Sequence, residues 1–156
     1  MYRILKALAF VLVSEAAGII GSIFTISSIP TWYPTLNKPS FSPPNYLFGP
    51  VWTLLYALMG IAAFLVWEKG LKKKEVKKGL TLFFIQLVLN SLWSIIFFGF
   101  QNPTLALFEI IILWTFILKT TLVFYKISKS AGYLFIPYLL WVTFAAFLNL
   151  SIVLLN

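Results

Sequence analysis

Five long apolar segments, separated by short polar ones, make up almost the whole chain. Each holds about 20 or more residues, the length that an α-helix needs to cross the hydrocarbon core of a bilayer. None alternates polar and apolar residues as the strands of a membrane barrel do, so helices are predicted. The pattern therefore predicts an all-α membrane protein, a five-transmembrane-helix bundle. The expected helices of this single domain, residues 1–156, cover about 4–27, 46–67, 80–100, 104–126 and 133–155, with a loop at 28–45.

Composition supports a membrane protein, and the basic residues near the N-terminus raise the question whether the first segment is a signal peptide. With 61% hydrophobic and 10% charged residues, the chain lacks the polar side chains that the surface of a soluble domain requires. Arg3 and Lys6 give the first segment the basic start of a signal peptide. That segment is longer than the apolar region of a signal peptide, carries Glu15 near its middle and has no A-x-A cleavage site. We therefore assign it as the first helix.

The basic residues lie almost entirely on one side of this bundle, with Lys38 as the exception. Because loops rich in Lys and Arg stay in the cytoplasm, we expect the N-terminus inside and both the 28–45 loop and the C-terminus outside. The net charge of +8 thus reflects topology, with binding of anionic membrane lipid as the alternative. Nucleic acid is not an expected partner, because no soluble module accompanies the lysines. The residues of the inner side are Arg3, Lys6, Lys69, Lys72, Lys73, Lys74, Lys77, Lys78, Lys119, Lys126 and Lys129.

The chain contains no cysteine and no histidine. It therefore has no thiolate nucleophile, no imidazole base and none of the usual ligands of transition metals, which excludes zinc chemistry and Ser-His-Asp hydrolysis. We predict no metal site and no required cofactor. A haem would need an unusual axial donor such as a tyrosine or Met59, so a tetrapyrrole would be held by stacking and shape.

Two carboxyl groups fall inside the predicted membrane segments. Glu15 lies in the middle of helix 1, and Glu109 lies about two turns into helix 4, whose start is marked by Asn102 and Pro103. An ionised carboxylate at such depth is costly unless it is paired or wetted. We therefore expect each carboxyl group to be protonated, hydrogen-bonded or turned to a cavity. No Lys or Arg lies at a matching depth, which favours a neutral carboxyl group that bonds a neighbouring helix; a proton-coupled role is the alternative.

Polar and aromatic side chains recur on single faces of three helices, because residues four and seven apart share a helix face. Such faces predict an apolar chamber with a few polar groups, which is typical of a small-molecule site. The alternative is an interfacial aromatic belt together with interhelical hydrogen bonds. The faces comprise Trp52 and Tyr56 on helix 2, Gln86, Asn90, Trp93, Ser94 and Phe97 on helix 3, and Pro137, Trp141, Ala145 and Asn149 on helix 5.

The outside loop is rich in proline and aromatic residues. Six of the eight prolines lie in or beside it, and each fixes its own φ, so the connector is stiff. We therefore expect a rigid aromatic lid over the mouth of the bundle. The prolines are Pro30, Pro34, Pro39, Pro43, Pro44 and Pro50, and the aromatic residues are Trp32, Tyr33, Phe41, Tyr46 and Phe48.

Four ordered motifs, spread over essentially the whole chain, resemble the TspO/MBR family, which is also called translocator protein, peripheral benzodiazepine receptor or tryptophan-rich sensory protein. The first is W-Y-P-x-L-x-K-P-S-F-x-P-P from Trp32 to Pro44, and the second is F-G-P-V-W-T-L-L-Y-x-L-M-G from Phe48 to Gly60. The third is Q-L-x-L-N-x-x-W-S-x-x-F-F from Gln86 to Phe98, followed by an N-P pair. The fourth is P-Y-x-x-W-x-x-F-A-x-x-L-N from Pro137 to Asn149.

The resemblance implies a five-helix bundle, commonly a homodimer, whose pocket near the first loop binds tetrapyrroles such as protoporphyrin IX. It also implies light-dependent porphyrin breakdown in some bacterial relatives, with the tryptophans that match Trp52 and Trp141 as the photochemical residues. Carried over by position, the lid comprises Tyr33, Pro43 and Phe48. The implied pocket wall comprises Trp52, Asn90, Ser94, Phe97, Trp141 and Ala145.

The sequence departs from the animal members of the family at its end. Their cholesterol motif needs a Tyr and then a basic residue late in helix 5, whereas Leu150 to Asn156 reads LSIVLLN. Such motifs are weak in any case, and we do not expect cholesterol as the ligand. Together with the topology and the cysteine-free composition, this departure favours a bacterial plasma membrane protein.

Helix 1 has small residues at four-residue spacing, which let helices approach closely. These residues predict either a homodimer contact or packing within the bundle. They are Ser14, Gly18 and Ser22 on one face and Ala17, Gly21 and Thr25 on the next.

The leading interpretation is a porphyrin-binding sensor. A transporter of porphyrin or another amphipathic solute, and a regulatory membrane scaffold, are the alternatives.

Overall fold

The computed structural model describes all residues 1–156 and contains five long helices. Each is long and apolar enough to cross a membrane, which confirms the predicted fold class. The helices are α1 Tyr2–Ser28, α2 Phe48–Trp67, α3 Lys74–Ser94, α4 Pro103–Ile127 and α5 Lys129–Leu155.

Local sequence explains where two of these helices begin. The Asn102 side chain accepts a hydrogen bond from the Leu105 amide at 3.0 Å, and Pro103 occupies the first turn of α4, as the sequence predicts. Helix α3 begins at Lys74, six residues before the predicted start at 80. Lysine and glutamate are good helix formers, and Glu75 in the first turn suits the helix dipole, so the helix continues beyond its apolar run.

The end of α3 changes from an α-helix to a single π-turn, Ile95–Gly99. The Phe100 amide donates to the Ile95 carbonyl at 2.9 Å, five residues back. Ser28 at the end of α1 donates to the Phe98 carbonyl at 2.7 Å. The wide turn is thus joined to α1, and π-turns of this kind occur frequently at functional sites.

The helices form a closed ring in the order α1, α2, α5, α4, α3. Helix α1 contacts α2 and α3, α2 also contacts α5, and α4 packs between α5 and α3. Helices α1 and α5 are therefore not neighbours, although both reach the loop end of the bundle. This separation leaves room between them at that end.

The other end of the bundle is closed by side-chain packing around α2. Met59, Ala62, Ala63 and Val66 have no exposed surface. At Gly60, α2 meets the backbone of α1 directly, since an added Cβ would lie 2.5 Å from the Val11 Cα. The two helices thus touch near the predicted inner side.

Candidate functional site

A cavity of about 330 Å³ occupies the loop end of the bundle. A volume of this size lies in the range of small-molecule sites. Four helices and the loop contribute to its wall. The lining residues include Glu15, Gly18, Ile19, Ser22 and Ile26 of α1, Phe48, Trp52, Thr53 and Tyr56 of α2, Trp93, Ser94 and Phe97 from α3 and its π-turn, Trp141, Phe144, Ala145, Leu148 and Asn149 of α5, and Tyr33 of the loop.

The wall is incomplete between α1 and α2. Ile19 and Ile26 line the cavity although their side chains are 62% and 70% exposed. Gly49 and Thr53 of α2 are also both lining and exposed. Exposed lining residues on both helices indicate a side opening of the cavity between α1 and α2, toward the space that lipid would occupy.

The deep end of the cavity is formed where α1 crosses Tyr56. Gly18 makes this crossing close, because a Cβ at that position would clash with the Tyr56 ring. The ring centroids of Tyr56 and Trp52 lie 5.6 Å apart, and Trp52 is edge-on to Tyr138 at 6.2 Å. The floor is therefore aromatic and rests on the closed half of the bundle.

The loop packs on the π-turn through two aromatic side chains. Tyr33 is 2% exposed, and its ring lies 5.8 Å from that of Phe98 and 6.5 Å from that of Phe97. Trp32 meets Phe97 edge-on at 5.7 Å. Edge-on aromatic pairs of this kind add stability beyond the buried area. Because Tyr33 also lines the cavity, the segment forms part of its roof.

Burial raises the pKa of the Tyr33 phenol above its ordinary value, while Ser42 acts in the opposite direction. An uncharged tyrosine is easier to bury than a phenolate, which is the physical cause of the shift. The Tyr33 hydroxyl therefore keeps its proton at neutral pH and can donate a hydrogen bond.

Lys38 holds the same part of the loop in shape. Its ammonium donates to the carbonyls of Tyr33 at 3.0 Å and Leu36 at 3.2 Å and lies 4.8 Å from the Tyr33 ring centroid. The one basic residue on the predicted outer side therefore has a structural role in the roof.

We predict that Lys38→Met loosens the roof, because methionine has a similar length but no N–H donor. The expected result is chymotryptic cleavage within residues 30–48 several-fold faster than in the unmodified protein. Lys72→Met, at an exposed position of the α2–α3 connection, is the matched control and should cleave at the original rate. Equal rates in all three proteins would contradict this role of Lys38.

Two tryptophans of the cavity have free indole N–H groups. Trp93 donates to Asn149 at 3.1 Å, and Trp114 donates to Thr143 at 2.8 Å. Trp52 and Trp141 line the cavity and donate to no protein acceptor. Their rings and N–H groups are therefore available to a ligand.

Behind the Tyr56 wall lies a buried chain of hydrogen bonds. The Tyr56 hydroxyl donates to the Asn90 carbonyl oxygen, and the Asn90 amide donates to the Tyr138 hydroxyl at 2.7 Å. Tyr138 in turn donates to Gln86 at 2.7 Å, and the Gln86 amide contacts Met59 Sδ at 3.7 Å. Buried polar groups in hydrocarbon require such partners. This chain fixes the position of the Tyr56 ring.

Seven of the nine residues expected around a ligand line this cavity, and binding by them stays a prediction. The two others lie elsewhere: Asn90 is 3% exposed and faces the two tyrosines, and Pro43 is absent from the cavity wall. Pro137, which was expected on the inward face of helix 5, is exposed instead. Those that line the cavity are Tyr33, Phe48, Trp52, Ser94, Phe97, Trp141 and Ala145.

Helix α1 supplies a wall that the sequence patterns did not assign. Its small residues pack within the bundle: Gly18 lies on Tyr56, and Gly21 lies beside the Ser94 side chain. Ser91 of α3 donates to the Ala17 carbonyl at 2.8 Å. The four-residue spacing in α1 thus reflects intramolecular packing, and it also places Glu15 and Ser22 on the cavity.

The two membrane carboxyl groups have different surroundings, and the expected bond to a neighbouring helix is wrong for Glu109. Both Glu109 oxygens are buried without a hydrogen-bond partner in the protein. Glu15 is half-buried and lines the cavity.

The fold and its cavity define a small helical membrane protein with a roofed, aromatic cavity. The TspO/MBR family model matches residues 10–155, and the chain belongs to this family. It is 50% identical to Tryptophan-rich protein TspO of Chlorobaculum tepidum over 90% of the chain and 89% of the relative. The protein of the same name from Archaeoglobus fulgidus is 49% identical over 99% of each chain. Human Translocator protein is 37% identical over 92% of the chain and 85% of the relative.

Proposed function

We propose that the protein is a membrane receptor that binds a tetrapyrrole such as protoporphyrin IX in the cavity and signals its presence. The observation that carries this proposal is the cavity itself, a space of about 330 Å³ with tryptophan on three walls and an aromatic roof. A flat apolar ring system stacks well on such side chains. A tetrapyrrole is larger than the enclosed space, and its edge would project through the side opening between α1 and α2.

Recognition of the ring would not depend on a metal ligand. The chain has no histidine or cysteine, and the cavity wall contains no methionine. Stacking on Trp52 and Trp141 would supply most of the contact, and their free indole N–H groups could donate to ring substituents. The free-base porphyrin is therefore the expected form of the ligand.

A slow photochemical reaction fits the same arrangement. Trp141 or Trp52 would give one electron to the photoexcited porphyrin, and dioxygen would add to the resulting porphyrin radical anion. The extra electron would then return to the tryptophan radical cation as the ring opens, so the net reaction is the addition of one dioxygen across a ring carbon–carbon bond. This step needs an oxidisable indole close to the bound ring, and it needs no acid, base or metal. Both indoles face the cavity, which is why we assign them this role.

We predict that Trp141→Phe lowers the rate of porphyrin photodegradation at least tenfold, while the affinity falls only a few-fold. Phenylalanine keeps much of the ring surface but is far harder to oxidise. Absorbance decay under illumination gives the rate, and dark tryptophan quenching gives the affinity. Trp67→Phe at the far end of α2 is the matched control. Equal losses in the photodegradation rate and in the affinity would contradict a redox role for Trp141.

Membrane transport of the same solute is favoured less by the geometry. The cavity ends at Tyr56, and beyond it Met59, Ala62 and Val66 have no exposed surface, so no continuous path crosses the bundle. Transport would require a second conformation, and flux across vesicles that depends on Glu15 or Glu109 would support it. If the protein acted as a scaffold, substitutions in the cavity wall would leave its activity intact, and substitutions in the loop would abolish it.

We further propose that the protein resides in the plasma membrane of a bacterium with its N-terminus inside. The distribution of lysines along the chain supports this orientation: Lys69, Lys72 and Lys126 lie at the end opposite the roof. Labelling of single cysteines introduced in the loop and in the α2–α3 connection of intact cells would test it.

A further inference from the structure

The cavity wall has one acidic residue and no basic residue. Glu15 is the single carboxyl group among the lining residues, and no lysine or arginine lines the cavity. The other titratable lining groups, Tyr33 and Tyr56, are phenols. A bound molecule thus meets a negative or hydrogen-bond-accepting group and no positive one.

Glu15 belongs to the deep end of the cavity. It lies 13 residues before the end of α1 at Ser28, which corresponds to about 20 Å along the helix axis. Gly18, one turn further along the same helix, packs against the Tyr56 ring. The carboxyl group therefore lies near Tyr56, on the floor of the cavity and away from the roof.

Within the protein, Glu15 has no charged partner. The ion pair of the chain joins Arg3 to Glu68. Lys6, the next basic residue of α1, lies over the rings of Tyr2 and Trp67 at the opposite end of the bundle. A membrane carboxylate is expensive unless it is paired or wetted. Because Glu15 lines the cavity, a bound ligand can supply that partner.

The groups near Glu15 also favour a ligand that carries a hydrogen-bond donor. The Tyr56 hydroxyl donates its proton to Asn90, so it offers only its ring and its oxygen lone pairs to the cavity. The ring faces of Trp52 and Trp141 carry negative electrostatic potential, which attracts cations. Apart from the free indole N–H groups of Trp52 and Trp141, the groups around the floor are thus acceptors and ring faces.

We infer that the floor of the cavity is a subsite for a cationic or N–H-bearing group, with Glu15 as its counter-ion. The preferred ligand is a flat apolar molecule with a protonated amine or a ring N–H at the end that lies on the floor. Any acidic substituents of the ligand lie at the mouth of the cavity. This inference rests on the proposed function in that it assigns chemistry to the same cavity. It adds Glu15 as a residue that determines specificity, and it states which end of the ligand lies at the floor of the cavity.

Three pyrene probes of nearly equal size test this subsite: 1-pyrenemethylamine, 1-pyrenemethanol and 1-pyrenecarboxylate. Each is titrated into the purified full-length protein in an uncharged detergent, with energy transfer from tryptophan to pyrene as the signal. We expect the amine to bind at least tenfold more tightly than the alcohol, the usual gain for a charged hydrogen bond, and the carboxylate to bind most weakly.

Glu15→Gln keeps the size of the side chain and removes its charge. In this variant we expect the ratio of amine to alcohol affinity to fall to about one. Glu109→Gln is the matched control, because it changes a membrane carboxyl group that lies outside the cavity wall, and the ratio should stay at tenfold or more. Gel filtration of both variants establishes that they are folded.

Equal affinities of amine and alcohol in the unmodified protein would overturn the inference even if Glu15→Gln failed to fold. A tenfold ratio that persists in Glu15→Gln would overturn the role of Glu15. Either result, with saturable binding of protoporphyrin IX retained, leaves the proposed function in place. Absence of saturable binding by protoporphyrin IX would overturn the proposed function, and the pyrene ratio would then still decide the inference.

Discussion

Replacing Ala145 with phenylalanine is expected to abolish saturable binding of protoporphyrin IX. Ala145 lines the cavity on α5, between Trp141 one turn before it and Leu148 after it. Side chains on a helix lean toward its N-terminus, so the new phenyl ring would lie beside Trp141 in the deep half of the cavity. A space of about 330 Å³ cannot hold that ring and a stacked ligand together.

The measurement is a titration in the dark with tryptophan quenching as the signal, for the unmodified protein and Ala145→Phe side by side. We expect saturation at about one ligand per chain for the first, and an affinity at least a hundredfold weaker for the second. A hundredfold loss corresponds to about 2.8 kcal/mol, the upper end of the ordinary cost of overpacking, about 1–3 kcal/mol, because the ligand has no other place on the floor.

Ala16→Phe controls for the introduction of an aromatic residue. Ala16 is exposed on α1 and does not line the cavity, so the same chemical change there should leave the affinity within about twofold. Undiminished affinity in Ala145→Phe would mean that the ligand binds elsewhere. Weak, non-saturating quenching in all three proteins would favour the scaffold or another solute.

Gly60→Ala is expected to destabilise the whole bundle. A Cβ at position 60 would lie 2.5 Å from Val11 Cα, 2.7 Å from Val11 N and 2.9 Å from Phe10 C, all of them backbone atoms of α1. Backbone cannot move aside as the end of a side chain can, so α1 and α2 must separate along their contact. We expect a loss of about 1–3 kcal/mol, which outweighs the gain of up to about 1 kcal/mol from replacing glycine in a helix.

Gly49→Ala provides the matched control. No atom lies within 4 Å of the Cβ that would be added there, so the same substitution should be neutral or slightly stabilising. Thermal unfolding in detergent, followed by loss of the monodisperse peak, should show a Tm several degrees lower for Gly60→Ala only. Equal Tm values for the two variants would mean that the close contact of α1 and α2 is not required.

Much of the site could be predicted because helical periodicity acts within one segment. Trp141 and Ala145 are four residues apart, as are Trp52 and Tyr56, and such pairs share a face whatever the rest of the fold does. Ser94 and Phe97 follow the same rule on α3 and its π-turn. These residues line the cavity because their helices do turn their polar and aromatic faces inward.

Asn90 shows the limit of that reasoning. Periodicity placed it on the inward face, and it is indeed buried, but the face alone does not say what it meets. Two tyrosine hydroxyls from α2 and α5 reach Asn90, and together they satisfy its amide and exclude it from the cavity wall. Pairing between helices that lie far apart in the chain determined this outcome.

The sequence by itself determined that this is a five-helix membrane protein with neither cysteine nor histidine, because span length and residue types are local properties. It also carried the TspO/MBR motifs from Trp32 to Asn149. Only the tertiary structure decided that α1 completes the cavity and brings Glu15 to its floor. That result follows from the ring order of the helices, which keeps α1 and α5 apart, and the order in which helices pack is a property of the whole bundle.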